Sequence, residues 1–70
     1  MGVNYKRLWK KLIDNDMEVS ALYTATKIAP STFSRMRKNE YVSLDVLVRI
    51  CNELDCQLSD IVEVELDKQS

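Results

Sequence analysis

One glycine, Gly2, and one proline, Pro30, are all that this 70-residue chain holds of the two residues that most readily reverse a backbone. Two-residue β-hairpin turns draw on glycine for positive φ, so a chain this poor in it cannot supply the many tight turns of a sandwich or barrel. An all-β architecture is excluded, which leaves helices joined by short polar connections. A chain of this length buries only about 60% of its unfolded surface, which predicts one domain over residues 1–70, an ordered core of about 4–62 and no large enclosed pocket.

The apolar residues recur at helical spacing. Tyr5, Leu8, Trp9, Leu12 and Ile13 follow one another at i, i+3, i+4, i+7 and i+8, with Lys6, Arg7, Lys10 and Lys11 between them, which predicts an amphipathic helix capped by Asn4. The Asp14-Asn15-Asp16 cluster competes for the backbone and ends it. A second helix of about eight residues starts at Val19, with Leu22 inward and Ile28 plugging the connection after it. Pro30 opens a third, 30–38, because its fixed φ and missing N–H suit the first helical position. Only Phe33 and Met36 are apolar there, so most of its circumference is wet. Ser43 caps a fourth helix, 44–54, built on Leu44, Leu47, Val48, Cys51 and Leu54. Leu58, Ile61 and Val62 indicate a short fifth. The alternation Val62-Glu63-Val64-Glu65-Leu66 has the period of a strand, with a frayed helix end as the alternative. Residues 67–70 are expected to be disordered.

Charge is divided along the chain. Residues 1–39 carry eight basic side chains and three acidic ones, net +5, whereas residues 40–70 carry two and eight, net −6. The overall charge of −1 therefore hides two opposed regions, and a polyanion would meet the basic one first.

The chain has no histidine, which removes the commonest general base and metal ligand and excludes Ser-His and Cys-His catalysis. Cys51 and Cys56 lack the two-residue gap of redox and zinc motifs, and read as a buried small hydrophobe and a half-buried one. No enzyme, metal or other cofactor, and no small-molecule ligand, is expected. No apolar run is long enough for a membrane span and no secretion signal is present, which predicts a cytoplasmic protein.

Two short helices joined by a tight turn, the second burying only two side chains, need a reason in so small a protein. An exposed helix meant for the DNA major groove supplies one. Through Leu22, Ile28, the run 31–36 (Ser-Thr-Phe-Ser-Arg-Met), the run 43–47 (Ser-Leu-Asp-Val-Leu), the run 50–55 (Ile-Cys-Asn-Glu-Leu-Asp) and the run 58–61 (Leu-Ser-Asp-Ile), the chain resembles the helix-turn-helix transcriptional regulators of the lambda repressor and Cro type, in particular short single-domain bacterial members. The resemblance spans about residues 5–62. It implies an all-α, compact five-helix bundle, with a possible short C-terminal strand, that binds double-stranded operator DNA as a homodimer, a bacterial or phage protein associated with the nucleoid.

Carried over position by position, the resemblance makes 30–38 the recognition helix, with Ser31 and Arg35 facing bases. An arginine guanidinium can bind guanine O6 and N7 through two hydrogen bonds, worth about 1–3 kcal/mol of discrimination. Ser31 and Thr32 could instead hold a phosphate at the helix start. Ser34, Arg37, Lys38 and Asn39 go to phosphates, as does the hydroxyl of Tyr41. Lys6 or Arg7 could add a peripheral phosphate contact.

The chain also departs from that family. Val19 stands where relatives carry a phosphate-contacting Gln, and Glu18 beside it would be repelled. Lys27 stands where the turn usually has Gly, at a strain of roughly 1 kcal/mol, although it adds a charge. Tyr23 replaces a small Ala, and Ala29 the usual Ser or Thr cap. These features support an alternative, a protein-interaction module that keeps the fold and has lost DNA binding. Dimerisation falls to Val62, Val64 and Leu66, on one side of a strand that could pair with its symmetry mate. Folding of Val62 and Val64 onto the domain's own core, or a seam of leucines from the fourth and fifth helices, are the other arrangements.

Overall fold

The computed structural model describes residues 2–66. In chain order these form β1 (Gly2–Asn4), α1 (Lys6–Asp14), α2 (Val19–Thr26), α3 (Pro30–Arg37), α4 (Leu44–Leu54), one 3₁₀ turn (Leu58–Asp60) and β2 (Glu63–Glu65). The expected fifth helix is not formed. Gln57 and Asp60 close a capping box, with the Gln57 N–H donating to Asp60 Oδ2 at 2.9 Å, and the chain leaves helical geometry at Ile61. The strand expected from the 62–66 alternation is formed as β2, and it pairs antiparallel with β1, a strand not expected, Val3 lying opposite Val64. The expectation for 67–70 falls outside the described residues.

Asn4 is the last residue of β1, and Tyr5 occupies the cap position of α1. The Asn4 side chain nonetheless accepts from the Lys6 N–H at 3.3 Å. It also donates to Glu65 Oε2 at 3.1 Å, tying the start of the chain to β2.

Glycine-poor chains must still end their helices, and here each α-helix is followed by a non-glycine residue with positive φ: Asp16 at 54°, Lys27 at 59°, Asn39 at 59° and Asp55 at 54°. Beyond three of them a backbone N–H closes back on the last turn, from Met17 to Leu12 at 2.8 Å, Glu40 to Arg35 at 3.0 Å and Cys56 to Cys51 at 3.0 Å. This is the Schellman closure, in which the residue after the left-handed one lies against the residue five before it. α2 uses the simpler form, the Lys27 N–H donating to the Tyr23 carbonyl at 2.9 Å. Asn and Asp tolerate the left-handed region because their short polar side chains bond locally, whereas Lys27 has no such relief.

The core is continuous across all four helices. Leu8, Leu22, Phe33, Met36, Ile50 and Ile61 are wholly excluded from solvent, joined by Tyr5, Leu12 and Ile28. Each such aliphatic or aromatic side chain contributes about 1.5–3 kcal/mol relative to exposure. Ile61 brings the 3₁₀ turn against α1 and α4, and Val3 packs β1 on the same core. Of the two cysteines, neither is fully buried and both are free thiols.

Candidate nucleic-acid interface

α3 is held to the core by two buried side chains, Phe33 and Met36, and shows most of its other residues to solvent. α3 begins at Pro30, with Ala29 in extended geometry before it (φ −62°, ψ 141°) and no side-chain cap. Phe33 and Met36 sink into the core, and the Tyr23 ring lies 4.8 Å from that of Phe33 at 44°, so the residue that replaces a small alanine becomes a brace between α2 and α3. Ile28 fills the turn. Thr26 is buried at the end of α2, its hydroxyl donating to the Leu22 carbonyl at 2.6 Å.

At about 3.6 residues per turn, the face of α3 opposite Phe33 and Met36 carries Ser31, Ser34, Arg35 and, just past the helix, Lys38. All four are exposed, and Thr32 is half-buried beside them. The structure therefore brings together Ser31, Ser34, Arg35 and Lys38 on one surface. Asn39, in the left-handed turn, and Tyr41, 64% exposed on the loop that follows, adjoin its C-terminal end. Lys27 is exposed at the turn between α2 and α3.

Both arginines of α3 have partners. Arg35 Nε lies 3.3 Å from Glu40 Oε1, and Nη2 donates to the Tyr41 carbonyl at 3.3 Å. Arg37 leaves the outer face altogether: its guanidinium carbon stands 4.5 Å from the centre of the Trp9 ring. It roofs an open cleft of about 460 Å³, which Trp9, Leu12, Met17 and Val19 also line, against the start of α2. Arg7 faces the opposite end, Nη1 donating to the Ser59 carbonyl at 3.1 Å and Nε lying 4.0 Å from Glu63 Oε1. Glu40 and Trp9 are the residues that sequence reasoning left without a role here. Asn39 was the available signal for Glu40, since a left-handed Asn folds the next residue back on the helix.

The loop after α3 is anchored from below by Tyr5, whose hydroxyl donates to the Glu40 carbonyl at 2.7 Å. Burial raises the pKa of this phenol above its ordinary 10.0, against the opposing pull of a Val42 backbone hydrogen bond and the Arg35 charge. Burial, with Cys56 as neighbour, likewise pushes the Cys51 thiol up. Among the described residues no group of three or more Cys, Asp or Glu side chains is placed to hold a metal ion. No described helix is long and apolar enough to cross a membrane.

Away from α3, Leu47, Leu58, Ser59, Val62 and Val64 line an apolar cleft of about 320 Å³. Val62 is half-buried against the core, while Val64 and Leu66 are 58% and 65% exposed. Leu44 and Val48 extend this apolar surface along α4 at 61% and 52% exposure.

Comparison with known proteins agrees with this geometry. A family profile described as a Cro/C1-type HTH DNA-binding domain matches residues 7–67. The crystal structure of the transcriptional regulator VanUg is similar at 48% sequence identity and a TM-score of 0.85, over 89% of this chain and 83% of that one. No curated protein matches.

Proposed function

The chain belongs to the Cro/C1-type helix-turn-helix DNA-binding domain family, and from that premise we propose that it is a sequence-specific transcriptional repressor which lays α3 in the major groove as a homodimer. One observation carries this reading: α3 is anchored by Phe33 and Met36 alone, and offers Ser31, Ser34, Arg35 and Lys38 on its free face. Arg35 reads guanine, Ser31 and Thr32 meet a base edge or a phosphate at the helix start, and Ser34, Lys38, Asn39, Tyr41 and Lys27 meet the backbone. Arg37 reaches a phosphate only from its perch on Trp9, at the rim of the interface. The similarity to a transcriptional regulator at 48% identity supports the regulatory role. An apolar surface of α4 and β2 supports the dimer, which would set two recognition helices about 34 Å apart, one turn of DNA.

Selection from a pool of random duplexes at several salt concentrations tests this. The expected result is a partly palindromic site, affinity that falls steeply with salt, and loss of one base preference in Arg35→Ala. Binding that is undetectable or indifferent to salt would instead favour an interaction module, the reading to which Val19 and the paired arginines lend support.

A further inference from the structure

Arg35 and Glu40 occupy the two positions that the Schellman closure of α3 presses together. In α1 that pair is Leu12 and Met17, and in α4 it is Cys51 and Cys56, so elsewhere the slot holds apolar or weakly polar partners. In α3 it holds an ion pair on the outer face. The closeness is set by backbone: the Glu40 N–H donates to the Arg35 carbonyl at 3.0 Å, the left-handed Asn39 (φ 59°) makes the return, and Tyr5 holds the Glu40 carbonyl from the core at 2.7 Å. With its backbone held on both sides, Glu40 presents its carboxylate to Arg35 Nε at 3.3 Å, and the Tyr41 carbonyl takes one Nη2 proton.

The consequences for the arginine are geometric and electrostatic. A guanidinium has five N–H donors in a rigid fork. Holding it by Nε and one Nη2 proton fixes its plane and leaves the Nη1 pair and the other Nη2 proton for a second acceptor. The same carboxylate offsets part of the arginine's charge, and with it part of the sequence-independent attraction to phosphate. Resting on the DNA-reading role of α3 proposed above, we propose that Glu40 is a specificity-determining residue: it positions Arg35 for a base edge and weakens its attachment to the backbone of DNA of any sequence.

Glu40→Gln removes the charge and keeps the size. Its partners are solvent-exposed, at 58% for Arg35 and 49% for Glu40, so a thermal melt should show the variant folded. Wild type and variant are titrated with the selected duplex and with a random-sequence duplex of equal length, each at two or more salt concentrations. Removing an exposed ion pair should tighten random-sequence binding by about two- to five-fold and steepen its salt slope by up to about 0.9, the share of one phosphate contact. The ratio of selected to random affinity should fall about five-fold or more as the arginine loses its fixed plane. Glu40→Asp, which keeps the charge and shortens the reach, should leave random-sequence binding near wild type and still lower the ratio. An unchanged ratio in Glu40→Gln overturns this role for Glu40 while leaving DNA reading by α3 intact. A wild-type chain that selects no site overturns the DNA-reading proposal itself.

Discussion

The Tyr5 hydroxyl donates to the Glu40 carbonyl at 2.7 Å across 35 positions of sequence, and so joins the start of α1 to the loop after α3. Tyr5 is 1% exposed. Tyr5→Phe keeps the ring and deletes the donor, and should destabilise the fold by about 0.5–1.5 kcal/mol in urea unfolding at neutral pH. A pH series separates a second effect. The folded state holds the phenol proton more tightly than the unfolded chain, since its pKa lies above 10.0. Stability from this group is therefore complete below pH 10 and is lost as pH climbs through the folded value. Cys51, raised above 9.0, acts in the same direction from a lower starting point. Wild-type stability should be flat from pH 6 to about 8.5 and fall above 9 to 10, and Tyr5→Phe should fall less steeply. Equal slopes for the two chains would show that Tyr5 does not carry the alkaline loss.

Arg37 stands 4.5 Å above Trp9, where a cation over an indole face at an exposed site contributes about 0.5–1 kcal/mol. Arg37→Ala should lose about that much stability and alter the tryptophan emission, Trp9 being the single indole. A double-mutant cycle with Trp9→Leu isolates the pair. Coupling indistinguishable from zero would mean that the stacking has no energetic weight.

Lys27 ends α2 at φ 59° and ψ 32°, with no side-chain bond to another of the described residues. Lys27→Gly should stabilise the domain by up to about 1 kcal/mol, because glycine enters the left-handed region without the Cβ clash. Ala29→Ser, at an uncapped helix start of extended geometry, should add about 0.5–1 kcal/mol. Each is read in thermal melts of its own single variant, since two positions of one short turn need not add. A destabilised Lys27→Gly would mean that the lysine side chain makes a contribution larger than its backbone strain.

The four α-helices were legible because each buries a stripe at helical spacing, and Phe33 and Met36 alone told which face of α3 is free. The 3₁₀ turn was not, since Leu58, Ile61 and Val62 fit one helical turn as well as they fit a capping box closed by Gln57 and Asp60. β1 was hidden for a different reason: Gly2, Val3 and Asn4 are too few to show a period, and only β2, 61 residues from Asn4 at Glu65, makes them a strand. The sequence pointed to the free face of α3, which carries Ser31, Ser34, Arg35 and Lys38, but not to the turning of Arg37 onto Trp9 or the pairing of Arg35 with Glu40. Whether Arg35 and Arg37 stand free depends on a left-handed Asn39 and on the approach of α1, which are tertiary facts.

The proposed dimer has its own test at the surface where Val64, Leu58, Leu44 and Val48 lie exposed. β2 already pairs with β1 inside the chain, so a two-fold strand pairing would use the edge of β2 that faces away from β1. Val64 of β2 and Leu66 just beyond it would then meet those of a second copy, with the α4 stripe beside them. Val64→Asp places a charge in that seam, and Val48→Asp places one on α4 away from the sheet. Sedimentation at several concentrations should show the wild type as two copies, with Val64→Asp weakening association at least about ten-fold, the effect of some 1.4 kcal/mol. Thermal melts at low concentration identify any variant that fails to fold. Loss of association in Val48→Asp alone would move the seam from β2 to α4, and an unaltered dimer in both would remove this face from the assembly.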